Sequence, residues 1–194
     1  MLRNSLSLVL SVMLSTATMA ADTYKLDPSH SKVGFSIRHM AISRTHGAFD
    51  QWTMDLQYDP AQPAQSVVSA TIQVSSINTQ NENRDAHLKS PDFFDVATHP
   101  LITFTSKSAK PAGKKLLVTG DLTMKGITRE VILPCEILGP TQDPWGNTRI
   151  GAEAELEINR QNFGLTSSKS LPTGGLVIGN TVKIEISLEA VKQR

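Results

Sequence analysis

Apolar residues occupy every second position along most of this chain. The clearest run is residues 182–189, where Val, Ile, Ile and Leu alternate with Lys, Glu, Ser and Glu. Similar alternation recurs near residues 33–37, 52–58, 68–74, 102–105, 118–124, 131–137 and 152–158. A period of two puts the apolar side chains on one face of a β-strand and the polar side chains on the other. The pattern therefore predicts an antiparallel sheet with one solvated face.

The arrangement of these strands follows from what can cover their apolar faces. Turn-forming residues such as Lys125-Gly126 separate the runs, and only residues 81–90 have the pattern of a helix, which Pro91 ends. A helix this short cannot cover an open sheet, so the strands must cover one another. We predict an all-β fold, an antiparallel β-barrel of about eight strands with one short helix. An immunoglobulin-like sandwich is the alternative.

The first 20 residues have the composition of an export signal. Arg3 precedes an apolar stretch from Leu6 to Leu14, and small residues follow up to Ala21. This order is typical of a secretory signal peptide, and the stretch is too short to span a bilayer. We predict cleavage after Ala20 or Ala21. The product is then an exported, soluble single domain over residues 21–194, without a transmembrane anchor.

Charge and cysteine content exclude several classes of function. The chain has 19 Lys and Arg residues against 18 Asp and Glu residues, which gives no electrostatic attraction to nucleic acid. Its one cysteine, Cys135, excludes an intramolecular disulfide and a cysteine-rich zinc site. Cys135 shares the register of Val131, Leu133 and Ile137, so we predict a buried thiol without a reactive role.

The interior of such a barrel is either filled by side chains or holds a ligand. Six Phe, two Trp and two Tyr are few for this length, and small residues recur on the apolar faces, at Ala70, Gly120, Ala152 and Ala154. Small residues would leave an apolar cavity, whereas strand curvature would let the aliphatic side chains meet. Composition leaves both alternatives open. A cavity would suit a long hydrocarbon chain, because each buried CH₂ contributes roughly 0.8 kcal/mol.

The sequence has no nucleophile motif, phosphate-binding loop or HExxH motif, so we predict a binding protein rather than an enzyme. We predict no catalytic residue and no metal site, because the spacing of His30, His39 and His46 is not that of a compact metal site. One alternative is an enzyme in which His39, His46 or His87 acts as acid or base on a bound quinone or isoprenoid. The other is a packed envelope interaction module without a ligand.

The densest polar cluster, residues 83–89, has two interpretations. On a helix, Asp85 and Lys89 stand four residues apart and can form an ion pair. The segment is then a capped surface helix that closes one end of the barrel. Alternatively, it forms a headgroup or partner site beside the mouth of a cavity.

Nearly the whole chain after residue 21 resembles, in order, the motifs of the YceI-like family. The most distinctive is NRDAHLKSPDFFD at residues 83–95; the others lie at residues 26–39, 47–49, 99–104, 120–129, 159–164 and 178–191. The resemblance implies a lipocalin-like barrel in the periplasm that binds a polyisoprenoid or similar long-chain lipid, such as an isoprenoid quinone or a prenyl phosphate. It also implies a link to stress responses, allows a homodimer, and favours a cavity over a filled interior. Cys135 has no counterpart in the family pattern.

The register of the strands then selects candidate residues for lipid binding. The predicted apolar lining is Phe35, Ile37, Ile72, Val74, Ile102, Phe104, Leu122, Met124, Phe163, Ile184 and Ile186. We predict His39 and Arg84 at the polar headgroup, where Arg84 can pair with a phosphate through charge-assisted hydrogen bonds. No cofactor other than the bound lipid is expected.

Overall fold

The computed structural model describes residues 21–193. The predicted signal peptide, residues 1–20, lies outside the described residues, and so does residue 194. The strands are β1 (Asp22–His39), β2 (Ser43–Phe49), β3 (Trp52–Tyr58), β4 (Val67–Gln73), β5 (Ile77–Asn78), β6 (Leu101–Ala112), β7 (Lys115–Met124), β8 (Ile127–Gln142), β9 (Thr148–Asn159) and β10 (Ile178–Lys192). The α-helix α1 spans Glu82–Lys89.

Eight of these strands form a closed antiparallel barrel. Their order around it is β1, β3, β4, β6, β7, β8, β9 and β10, and β10 then pairs with β1. The closing pair is long, because it runs from Tyr24 opposite Lys192 to His39 opposite Ile178. Closure removes the free edges that a sheet would otherwise expose. The prediction of an all-β barrel of about eight strands is confirmed, and the sandwich alternative is wrong.

Two further strands, β2 and β5, extend the sheet beyond the closed barrel. One edge of β1 pairs with β3 over residues 22–25 and with β2 over residues 33–39. The two-residue strand β5 then pairs with β2 at Ala48 and Phe49. Alternation did not reveal β2, because its first five residues, Ser43 to Gly47, contain no apolar side chain. It forms because the second half of β1 offers unpaired backbone groups.

The predicted turns and helix have the expected local chemistry. Lys125 and Gly126 both have positive φ, at 49° and 72°, as a two-residue hairpin between β7 and β8 requires. Asn81 caps α1, since its Oδ1 accepts a hydrogen bond from the backbone N–H of Arg84 at 2.9 Å. The helix ends at Lys89, before Ser90 and Pro91. It therefore matches the predicted span to within one residue at each end.

One end of the barrel is filled by side chains. Tyr24, Met54, Tyr58, Ile150 and Ala190 form a buried cluster there, at the start of β1 and the end of β10. We call this the closed end. At the other end, the last residues of β1, the helix α1 and the loop over residues 164–177 lie around one cavity. The candidate functional site lies in that half.

Candidate functional site

A cavity of about 680 Å³ occupies the half of the barrel away from the closed end. Every barrel strand except β3 contributes to its wall, and most of the wall is Ile, Leu, Val and Phe side chains. Its volume falls within the roughly 300–1,000 Å³ typical of small-molecule binding pockets. The interior is therefore filled by side chains at one end and open at the other. The sequence had suggested either a filled barrel or one with a cavity, and the structure combines the two.

The exposure of the wall residues agrees with an open cavity, which we also call the bore. Phe35, Ile37, Ile72, Ile184 and Ile186 line the cavity, yet each is only partly buried. Inward apolar side chains of a filled core would instead be fully buried, as Ile150 is at the closed end. The wall therefore presents apolar surface that a ligand can remove from water.

Most of the predicted lining lies on this wall. The residues found there are Phe35, Ile37, Ile72, Ile102, Phe104, Leu122, Met124, Ile184 and Ile186. Their contact with a lipid stays a prediction. The structure places the other two, Val74 and Phe163, elsewhere.

Val74 and Phe163 require correction for the same physical reason. Val74 follows the end of β4 and begins a 3₁₀ turn, Val74–Ser76, so the alternation of β4 does not extend to it. Phe163 closes another 3₁₀ turn, Arg160–Phe163, after β9. Both are buried in the main core at 1 % and 2 % exposure, outside the cavity wall. Period-two reasoning fails where a strand gives way to a turn.

The small residues on the apolar faces do not create the cavity. None of Ala70, Gly120, Ala152 and Ala154 lines it. A Cβ on Gly120 would lie 2.5 Å from Cζ of Phe104, because the Phe104 ring packs directly over this glycine. Gly120 is therefore needed to seat a large aromatic side chain of the wall, not to leave a void.

The cavity opens to solvent through a polar rim. Five of its lining residues are exposed, and all five are polar: Arg38, Asn83, Arg84, His87 and Lys169. We call this rim the mouth. Within the described chain, no Asp or Glu lines the cavity. An apolar bore with a basic mouth suits an amphipathic ligand whose polar end is neutral or anionic.

Arg84 is held at the mouth by a residue that lies two positions before the helix cap Asn81. Its Nε donates to Oγ1 of Thr79 at 2.7 Å and its Nη2 donates to the carbonyl oxygen of Thr79 at 2.8 Å. Thr79 is itself buried, and Asp85 accepts hydrogen bonds from its backbone N–H and its hydroxyl. Asp85 therefore positions Thr79, instead of forming the expected ion pair with Lys89. In residues 21–193, Nη1 of Arg84 has no hydrogen-bond partner, so it can donate to a ligand.

Arg160 is a site residue that sequence reasoning missed. Its guanidinium is buried, at 3 % exposure, and lines the cavity. It donates to the carbonyl oxygens of Gly179 at 2.8 Å, Ser167 at 3.0 Å and Ile178 at 3.2 Å, and to that of Leu165. Burial lowers the pKa of this guanidinium. Arg160 thus ties the loop over residues 164–177 to β10. The signal that the sequence offered for this residue was an arginine directly after the alternating run of β9.

The histidines considered for catalysis do not gather at one place. His39 lines the cavity, and His87 stands at the mouth beside Asp92 at 3.5 Å with its ring against Phe93. His46 lies outside the cavity wall, on a shallow surface groove. The fold therefore places two of the three candidates at the cavity and the third outside it.

One group of side chains has the spacing of metal ligands. The ligand atoms of Asp27, His30 and Glu189 lie within 4.8 Å of one another, near the closed end. Arg149 already occupies this group, with Nη1 at 2.6 Å from Asp27 and 3.3 Å from Glu189. Its hydrogen bond, with that of His30, lowers the pKa of Asp27 to about 2. The cluster is an ion-pair network that links β1, β9 and β10, and His39 and His46 are not part of it.

Comparison with known proteins gives the family. The model of the YceI-like domain matches residues 24–190. The chain belongs to the YceI-like family. It is 36 % identical to Protein YceI of Escherichia coli O157:H7 over 186 residues, which cover 95 % of this chain and 94 % of that protein.

Solved structures share the barrel. Burkholderia cenocepacia BcnA superposes with a TM-score of 0.75 at 28 % identity, covering 84 % of this chain and 98 % of BcnA. A polyisoprenoid-binding domain from Saccharophagus degradans superposes with a TM-score of 0.65 at 16 % identity, covering 89 % of this chain and 99 % of that domain. At that identity the second likeness shows the fold. Among residues 21–193, no helix has the length and hydrophobicity needed to cross a membrane.

Three segments that carry the YceI-like resemblance contribute charged or imidazole side chains to the cavity lining. Residues 26–39 supply Arg38 and His39, residues 83–95 supply Arg84, and residues 159–164 supply Arg160. These segments are far apart in sequence and become neighbours only when the barrel closes.

Proposed function

We propose that this protein is a periplasmic carrier that holds a polyisoprenoid or similar long-chain lipid in its barrel. The chain enters the apolar bore, and the headgroup lies at the mouth beside Arg84 and His39. The predicted signal peptide supports export, and the YceI-like family supports a periplasmic location. The polyisoprenoid-binding domain of the same fold supports the ligand class.

The observation that carries this proposal is the open bore of about 680 Å³ between an apolar wall and a basic mouth. If each chain carbon takes roughly the 30 Å³ that a water molecule occupies, the bore holds on the order of twenty carbons. Each CH₂ removed from water contributes roughly 0.8 kcal/mol, so a chain of this length binds without specific polar contacts. Sugars and nucleotides would leave their polar groups unpaired against the Ile and Leu side chains.

The test is lipid extraction from protein purified from its native host, followed by mass spectrometry. A pair of neighbouring residues on β8 gives a matched control. Leu133 lines the bore, whereas Ile132 points to solvent and is 53 % exposed. Leu133→Trp places an indole in the bore and should abolish lipid recovery. Ile132→Trp adds the same group outside and should leave recovery unchanged.

Two results would contradict the proposal. The first is wild-type protein from the native host that yields no chain lipid. The second is a folded Leu133→Trp variant that retains as much lipid as Ile132→Trp. Thermal unfolding of both variants, followed by circular dichroism, establishes that each is folded before lipid is measured.

A further inference from the structure

An exposed apolar loop projects beside the mouth. Met40, Ala41 and Ile42 connect β1 to β2, and Ile42 is 80 % exposed and Met40 38 % exposed. The backbone N–H of Met40 donates to the carbonyl oxygen of Val177 at 2.8 Å. The backbone N–H of Ile42 donates to the carbonyl oxygen of His39 at 3.2 Å. Val177 and His39 both line the cavity. The loop is therefore fixed to the rim of the bore while its large apolar side chain faces solvent.

Basic side chains without acidic partners surround this loop. Arg38 and Arg44 lie on the two strands that it joins, and Lys169 stands at the mouth. Within residues 21–193, none of the three has a carboxylate within 4.0 Å. By contrast, Lys107 on β6 and Lys183 on β10 each form ion pairs with two carboxylates. The cations near the loop are free to meet an anionic surface.

We propose that the mouth docks on an anionic lipid bilayer, with Ile42 and Met40 inserted among the headgroups and Arg38, Arg44 and Lys169 against anionic headgroups. Apolar side chains combined with adjacent cations give this kind of interfacial binding. Docking would place the opening of the bore against the bilayer. The inference rests on the proposed function, because a long-chain lipid could then move between bilayer and bore without exposing its chain to water.

The size of the patch favours a bilayer over a protein partner. A stable protein interface usually buries at least about 1,000 Å² in total, with a central cluster of anchoring side chains. This apolar patch is a loop of three residues with one strongly exposed side chain. A bilayer needs only a few inserted side chains, and the charges supply the rest of the binding free energy.

The test is co-sedimentation of the full domain with vesicles of phosphatidylcholine, alone or mixed with phosphatidylglycerol. We expect binding to the mixed vesicles that falls when salt rises from about 0.1 M to about 1 M, because the Debye length shrinks from roughly 10 Å to 3 Å. Ile42→Ser should weaken binding by at least about 10-fold, because the variant loses the free energy of removing one large aliphatic side chain from water. Trp145→Ser is the matched control, since Trp145 is 78 % exposed in the β8–β9 turn at the closed end and should leave binding unchanged.

The charges are tested by a second pair of variants. Arg38→Gln combined with Lys169→Gln should weaken vesicle binding by about 25-fold. Each cation near an anionic surface contributes about 1 kcal/mol, which is a factor of roughly five in affinity, and two are removed. Lys110→Gln combined with Lys114→Gln removes two exposed cations near the β6–β7 turn at the closed end and should have no effect.

Three results would overturn the docking proposal. They are no binding of wild-type protein to the mixed vesicles, an equal loss for Trp145→Ser and Ile42→Ser, or a homodimer in solution that Ile42→Ser dissociates while vesicle binding is absent. Lipid extraction from the same preparations separates the two proposals. Protein that contains chain lipid but ignores vesicles disproves docking alone, and protein that binds vesicles but contains no chain lipid contradicts the carrier function alone.

Discussion

Replacing Arg160 with Met should loosen the mouth and lower stability together. Methionine keeps an unbranched apolar stem but removes every donor of the buried guanidinium. The loop carbonyl oxygens of Leu165 and Ser167 would lose this donor, and so would those of Ile178 and Gly179 on β10. The loop over residues 164–177 should then separate from the barrel.

The magnitude follows from the carbonyl groups left without a partner. Each buried carbonyl group left without a hydrogen bond costs about 1–3 kcal/mol. Counting only the two loop carbonyl groups, those of Leu165 and Ser167, the cost is about 2–6 kcal/mol. Removal of a buried charge, whose desolvation lowers the pKa of Arg160, offsets part of this. We expect a net loss of about 3 kcal/mol, which corresponds to a fall in Tm of about 6–12 °C for a domain of this size.

The assay is thermal and chemical unfolding, with lipid content measured on the same samples. Arg129→Met is the control, because Arg129 is exposed and its one side-chain hydrogen bond within residues 21–193 is to the carbonyl oxygen of neighbouring Thr128. It should change stability by less than about 0.5 kcal/mol. Equal Tm values for Arg160→Met and wild type would show that the loop does not depend on this guanidinium.

Four further predictions concern other parts of the barrel. Phe104→Asp should prevent folding or abolish lipid retention, because it puts a charge on the apolar wall; normal circular dichroism with normal lipid content would contradict the assigned register. Gly120→Ala should cost about 1–3 kcal/mol in chemical unfolding, because its Cβ would overlap the Phe104 ring. Asp27 has its pKa held at about 2, below the usual 3.8, mainly by Arg149. Its contribution to stability is therefore complete above pH 4 and is lost as pH falls toward 2, a dependence that Asp27→Asn should weaken in acid unfolding. Burial raises the pKa of Cys135 to about 11, so a thiol reagent at pH 8 should label the native protein far more slowly than the unfolded protein.

Local sequence patterns determine most of the barrel. Alternation identified the eight barrel strands, because each carries one apolar and one polar face over several residues. It also placed nine of the eleven predicted lining residues on the cavity wall. It misplaced Val74 because a 3₁₀ turn changes the direction of the side chain without changing the apolar pattern.

The mouth was harder to predict because it depends on contacts between distant segments. Arg84 was selected from its polar surroundings, but its partner Thr79 and the role of Asp85 appear only in three dimensions. Arg160 bonds to backbone oxygens, which leave no signature in side-chain composition. The open half of the bore likewise depends on the spacing of opposite walls, which periodicity does not report.

The sharpest test of an open, lipid-filled barrel is a crystal structure of the protein purified from its native host, without added lipid or detergent. We expect continuous electron density for one hydrocarbon chain between Ile37, Leu133 and Ile184, with a polar group within hydrogen-bond distance of Arg84. Side chains such as Phe35 and Phe104 folded inward to fill the bore, with no space for a chain, would contradict it.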